Sequence, residues 1–243
     1  MKTNGMKLIA LLVTSLFATG AFAQASSKVE VDKVEQQQTG QDNKQYMDLG
    51  NVQKGGKSDV KAGTVTQKQL GGQTNVQKMG VGNVAGTGAS KVTTGDITQT
   101  QVGGSNAKQD MQVGNVEGSG RSNVTTGNIN QTQQYGDRSV QEMKLGNVVG
   151  TGTSNVQTGD VTQSQTGADQ VQKMGVGNVT GGGTSGVITG PITQTQTGTK
   201  NKQDLQVGNV TGSGTSDEFI PGGITQTQGG NRNTQSTNIG NVK

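Results

Sequence analysis

From residue 34 onward, apolar and polar positions recur in one fixed order. Val34, Val65, Ile97, Ile129, Val161, Ile192 and Ile224 stand 31 or 32 residues apart, and each opens a short alternating run. Ile97-Thr98-Gln99-Thr100-Gln101 returns as Ile129-Asn130-Gln131-Thr132-Gln133, as Ile192-Thr193-Gln194-Thr195-Gln196 and as Ile224-Thr225-Gln226-Thr227-Gln228. Period-two alternation opened by a β-branched residue predicts a strand, with Ile97, Gln99 and Gln101 on one face and Thr98 and Thr100 on the other. A second strand is expected to place Gln109, Met111, Val113 and Asn115 on one face, with Asp110, Gln112 and Gly114 opposite. A third extended piece is expected around Ser122, Val124 and Thr125, closed by Gly127. The intervening Val102-Gly103-Gly104-Ser105-Asn106 and Glu117-Gly118-Ser119-Gly120 are rich in residues that tolerate positive φ and read as turns.

Gly-Asn-Val begins at Gly50, Gly82, Gly114, Gly146, Gly177, Gly208 and Gly240, again at 31 or 32 residues. A register kept over that many intervals is the mark of one supersecondary unit stacked on itself. The expected fold is all-β: a β-solenoid of cross-β stacked coils, about seven repeats of 31–32 residues with two to three short strands per coil. Aligned units turn each position into a column. Met47, Met79, Met111, Met143, Met174, Leu205 and Thr237 form one, and Leu49, Val81, Val113, Leu145, Val176, Val207 and Ile239 another. Three columns carry carboxamides. Gln69, Gln101, Gln133, Gln165, Gln196 and Gln228 close the first run; Gln77, Gln109, Gln141, Gln172 and Gln203 follow 7 or 8 residues later; Asn51, Asn83, Asn115, Asn147, Asn178, Asn209 and Asn241 belong to Gly-Asn-Val. Amides in register along a cross-β axis can donate to one neighbour and accept from the next, sparing buried polar groups a cost of roughly 1 to 3 kcal/mol each. These residues are the expected self-assembly ladders. An outward column reads Tyr46, Lys78, Asp110, Glu142, Lys173, Asp204, Ser236. Its opposite charges adjoin at Lys78/Asp110, Glu142/Lys173 and Lys173/Asp204, while Asp110 over Glu142 is unfavourable.

The N-terminus differs from the repeats. Lys2 and Lys7, the apolar run Leu8 to Ala18 and Ala21-Phe22-Ala23 read as a secretory signal peptide over residues 1–23, cleaved after Ala23 or, at a second site, after Ala25. The domain layout is then signal peptide 1–23, an N-terminal segment 24–33 whose Glu30, Asp32 and Lys33 serve as a weak cap, and a repeat solenoid 34–243 with an uncapped end. The sequence holds 42 Gly, no Cys and no Trp, and 27% of its residues are hydrophobic. An exported chain without Cys has no disulfide staples, and this composition without the periodicity would read as disorder.

Several functions are disfavoured. With no His and no Cys, a poised nucleophile or base is hard to assemble; the periodic Ser90, Ser122 and Ser154 read as turn or ladder residues, and no enzyme or cofactor is expected. The net charge of +4 comes from scattered basic residues, without the basic stripe or aromatic platform of a nucleic-acid binder. No membrane span is expected in the mature chain. Gly86-x-Gly88-x-Ser90-x-Val92 echoes calcium-binding β-rolls, yet Ser stands where a ligand Asp belongs and no metal is expected. Thr-x-Thr pairs at Thr98/Thr100, Thr193/Thr195 and Thr225/Thr227 suggest a monomeric ice-binding solenoid as an alternative, and a calcium-dependent adhesin is another. Asp217-Glu218-Phe219-Ile220-Pro221 departs from the repeat and reads as a bulge at a coil corner or a partner contact.

Gln101, Gly103, Asn106 and Gln109, with counterparts at Gln38, Gly40, Asn43 and Gln45 and at Gln196, Gly198, Asn201 and Gln203, resemble the spacing in the curli major subunit and related functional amyloids. Gly80-Val81-Gly82-Asn83-Val84-Ala85 is similar to repeats of Fap-type fibre subunits. The unit here is longer, with an added Gly-x-Gly-x-Ser-x-Val arm, and Arg138 and Gln170 replace the turn Asn in two copies. The resemblance implies a secreted structural subunit that polymerises into extracellular amyloid-like fibres for biofilm matrix or adhesion. Its partner is the chain itself, with room for a nucleator or a secretion pore.

Overall fold

The computed structural model describes residues 7–8, 25–39, 44–53, 56–71, 74–103, 105–134, 138–181 and 183–240. They form an all-β solenoid of about six turns, with repeats about 32 residues apart. Gly88–Thr94, Ile97–Val102, Lys108–Val113 and Val116–Glu117 make one coil. Each strand pairs in parallel with its equivalent above and below, and like falls on like: Val92 on Val124, Gln99 on Gln131, Met111 on Met143, Val116 on Val148. Successive side chains alternate in and out of the coil, with Ile97, Gln99 and Gln101 inward and Thr98 and Thr100 outward, so one face of each longer strand enters the interior.

The interior is filled by four aliphatic columns. Val60, Val92, Val124, Val156 and Val187 come from the first strand, and Val65, Ile97, Ile129, Val161 and Ile192 from the second. Met79, Met111, Met143, Met174 and Leu205, with Val81, Val113, Leu145, Val176 and Val207, come from the third. Buried Gln columns lie beside them.

The fourth strand is an addition to the two or three expected. Gly114 has φ 66, and Gly50, Gly82, Gly146, Gly177 and Gly240 have φ of 63, 64, 66, 53 and 69, which ends the third strand and swings the chain outward. Val52, Val84, Val116 and Val148 then bury themselves in a small core of their own. A two-residue strand between glycines is too short to alternate, so its pattern is not visible beforehand.

The boundary at residue 33/34 is corrected as well. Ala25–Thr39 is one strand, parallel to Gly56–Leu70, with Val29 on Val60, Glu30 on Lys61 and Val34 on Val65. Residues 25–33 belong to the first coil because the arm strand precedes the Val34-type strand, and a border drawn at that landmark cuts a coil in half. The leader assigned to residues 1–23, with Ala23, lies outside the described residues apart from Lys7–Leu8, which run antiparallel to Gln36–Gln37. Ala25 opens the first coil.

Corner glycines and turn glycines should respond differently to substitution. A Cβ on Gly114 would collide with Val124 Cγ2, and φ is positive there; at Gly127 no atom lies within 4 Å of an added Cβ. Gly114→Ala is expected to cost at least about 2 kcal/mol in urea unfolding, and Gly127→Ala to stay within about 0.5 kcal/mol of the parent.

Candidate functional site

Backbone pairing holds equivalent residues one strand spacing apart, about 4.8 Å, within reach of amide to amide contact. In the third strand this contact forms. Gln77 donates to Gln45 at 2.8 Å, Gln109 to Gln77 at 2.8 Å and Gln141 to Gln109 at 2.7 Å, all through Nε2 to Oε1. The ladder stops where the strand of the next coil is split into Val171–Gln172 and Gly175–Val176. Gln172 donates to the backbone of Gln163 instead, and both amide atoms of Gln203 are buried without a partner.

The column closing the second strand behaves differently from the expectation. Gln69, Gln101, Gln133, Gln165, Gln196 and Gln228 are in register. Gln69 donates to Asn75 Oδ1 at 2.9 Å and Gln133 to Ala107 O. Gln101, Gln165 and Gln196 have both amide atoms buried and unpartnered. Asn75 supplies a side-chain acceptor to Gln69 in its own coil; Ala107, at the equivalent place in the next coil, has no side-chain amide to offer Gln101.

A column outside the expected set also ladders. Gln67 donates to Gln36 at 3.2 Å, Gln131 to Gln163 at 3.1 Å and Gln163 to Gln194 at 3.0 Å. The donors point towards the N-terminal coils on one side of Gln99 and towards the C-terminal coils on the other, leaving both amide atoms of Gln99 unpartnered. The recurrence of Gln at the centre of every alternating run was the available signal.

The Asn column is at a corner, mostly half-buried, and does not face the core. Its ladder uses the backbone. The N–H of Asn83 donates to Asn51 Oδ1 at 2.8 Å, and Asn115, Asn147, Asn178 and Asn209 continue the series at 2.9, 2.9, 3.0 and 3.3 Å. Asn241 lies outside the described residues. The preceding Gly carbonyl accepts from a buried arm hydroxyl: Ser90 to Gly82, Ser122 to Gly114, Ser154 to Gly146 and Ser185 to Gly177. Gly-Asn-Val with the arm Ser is therefore a corner in which Gly provides the bend, Asn and Ser satisfy the freed backbone groups and Val fills the small core.

Outside this corner runs a groove of about 530 Å³ lined by Lys78, Asp110, Gln112, Asn115 and Lys144 among others. Burial pushes the Asp110 carboxyl above its ordinary value, and the adjoining Glu142 carboxylate adds to the shift. The expected cross-coil ion pairs are not among those formed by the described residues, which are Lys33–Glu35, Glu142–Lys144 and Asp169–Lys200. Glu142 pairs along its own strand with Lys144, Lys78 lies over Tyr46 of the preceding coil at 5.9 Å from the ring centre, and Asp169–Lys200 joins the turns of neighbouring coils.

Edge strands at the two ends of the stack differ from those inside. Among the described residues, Lys44–Leu49, Gly214–Glu218, Thr225–Gln228 and Gln235–Asn238 each pair on one side alone. From Thr215 to Gly240 no side chain is fully buried. Tyr46, Phe219 and Ile239, on the first and last described coils, are 55%, 70% and 43% exposed. Comparison with known proteins found no matching family model, curated protein or solved structure.

Two measurements test these assignments. Gln109→Met cuts the third-strand ladder twice and is expected to destabilise by about 1 to 3 kcal/mol, whereas Gln101→Met removes an unpartnered amide of similar volume and is expected to be neutral or stabilising in the same urea titration. Asp110 in the folded chain binds its proton more tightly than in the unfolded one, so its charged form is a burden at neutral pH. Asp110→Asn is expected to raise the melting temperature at neutral pH, with the advantage shrinking as acidification protonates Asp110 in the parent.

Proposed function

We propose that the chain is an exported structural subunit that self-assembles end to end into extracellular amyloid-like fibres, serving as biofilm matrix or adhesive material. The observation that carries this reading is that, among the described residues, strands of both end coils have an unpaired edge, Lys44–Leu49 at one end and Gly214–Glu218, Thr225–Gln228 and Gln235–Asn238 at the other, and bear mostly the same residue columns as the interior. An unpaired edge is a template for another strand, and a parallel, in-register stack has no geometric reason to stop at one chain length. Exposed Tyr46, Phe219 and Ile239 at the two ends support the same surfaces as contacts.

The ice-binding alternative draws on outward Thr columns in register, Thr98 with Thr66 and Thr193 with Thr162 and Thr225. Lys68 and Asn130 interrupt that array, which favours the fibre. Strong, saturable thermal hysteresis from a purified monomer that forms no fibres would reverse the choice.

Purified mature chain is expected to convert to unbranched filaments under negative stain, with fibre diffraction near about 4.8 Å. A stable monodisperse monomer without that reflection would overturn the proposal. Replacing Gln77, Gln109 and Gln141 together by Ala is expected to abolish filament growth; filaments formed as readily as by the parent would remove the amide ladders from the explanation.

A further inference from the structure

The two end coils match each other column by column. Extending the stack by one step from the last coil to the first coil of a second copy places Ser216 on Ser27, Ile224 on Val34, Gln226 on Gln36, Gln228 on Gln38, Gln235 on Gln45 and Ile239 on Leu49, as the registers within the chain require. On the outer face Asp217 would meet Lys28 of the second copy, an opposite charge. This contact keeps all strands parallel and uses different surfaces on the two copies, so it is heterologous and does not close.

Two inward positions break the match: Thr237 stands in the column of Met47 and Leu205, and Glu218 in the column of Val29. The first-strand column reads Val29, Val60, Val92, Val124, Val156 and Val187, all buried, and then Glu218. Elsewhere the Val side chain occupies the corner against the Gly of Gly-Asn-Val; at the last coil the Glu218 carboxylate takes that place beside Gly208 and accepts from Ser216 Oγ. The elements packed against it, Gly183–Ile188, residues 207–211 and residues 235–240, whose Gly240 adjoins the carboxylate, carry no charged side chain, and Asp217 on its own strand is exposed on the opposite face. The incoming coil would cover it with Val29, while Lys28 and Glu30 on either side are exposed and face outward.

We infer, building on the fibre reading, that the joint between copies is head to tail in this register and that Glu218 is an acid-operated latch on it. Seating Val29 of a second copy over the carboxylate removes it from water without supplying a cation, which favours the protonated form. The joined state then binds a proton more tightly than the free end, so joining is favoured as pH falls and weakened as pH rises. Asp217 paired with Lys28 works in the opposite sense, because its charged form is the one the contact favours.

Seeded elongation from sheared fibres, followed by light scattering between about pH 4 and about pH 8, tests the latch with the parent, Glu218→Gln and Glu218→Val. Each pH unit above the titration midpoint of a glutamate lowers its protonated fraction about tenfold, and the parent rate is expected to fall by up to that factor per unit. Both variants are expected to lose this slope and to elongate at least about tenfold faster than the parent at neutral pH. Circular dichroism of the fibres formed by each variant checks that the sheet is retained, and Glu218→Gln keeps the side-chain size should the Val variant fold poorly. Variants that retain the parent's pH slope would overturn the latch and leave fibre formation standing. Absence of fibres from all three chains at every pH would overturn the fibre reading and the latch together.

Discussion

Parallel pairing of successive coils fixes the distance between equivalent residues at about 4.8 Å, and every side chain must tolerate a copy of itself at that distance. Few residue types do so inside a protein. Aliphatic chains pack, amides can bond to their own kind, and glycine leaves room; a buried charge would meet a like charge in the next layer. The chain's composition follows from this constraint. Apart from Glu218 in the last coil, charged residues keep to outward columns and turns, and where Asp110 and Glu142 do fall in adjacent layers, half-buried, the carboxyl of Asp110 is pushed upward.

Self-stacking is also an imperfect way to satisfy amides. Gln77, Gln109 and Gln141 hold a continuous series with donors all pointing one way. The column through Gln67, Gln99 and Gln131 contains a reversal, and a reversal costs a residue whose two amide atoms find nothing. The corner solves the problem more completely, because Asn and Ser there answer to backbone groups whose positions are set by the fold. Gly-Asn-Val is the least varied motif in the chain, and it is the place where polar satisfaction is most nearly complete.

The stacked architecture was legible because every position repeats: alternation at Ile97 to Gln101 and at Gln109 to Val113 specified which faces enter the interior. Alternation failed at Gly114. Carrying the period through that glycine placed Asn115 inward, whereas its positive φ ends the strand and turns Asn115 to the corner. The connectivity of the Gln columns was not legible, since Gln69 and Gln101 occupy equivalent sites and differ only through Asn75 against Ala107. Glu218 stood out in the sequence as part of an irregular segment, but its place in the Val column depends on strand register, which only the three-dimensional arrangement supplies.

The divided strand at Val171–Gln172 and Gly175–Val176 lies between four coils whose third strands are six residues long and two whose equivalents have four. Cooperative opening in a linear array propagates until it meets a weak neighbour interface. The first and second strands pair without a break across this coil, so the weakening is confined to one sheet, and amide exchange and proteolysis are expected to begin on that face of the C-terminal coils before the longer N-terminal block opens.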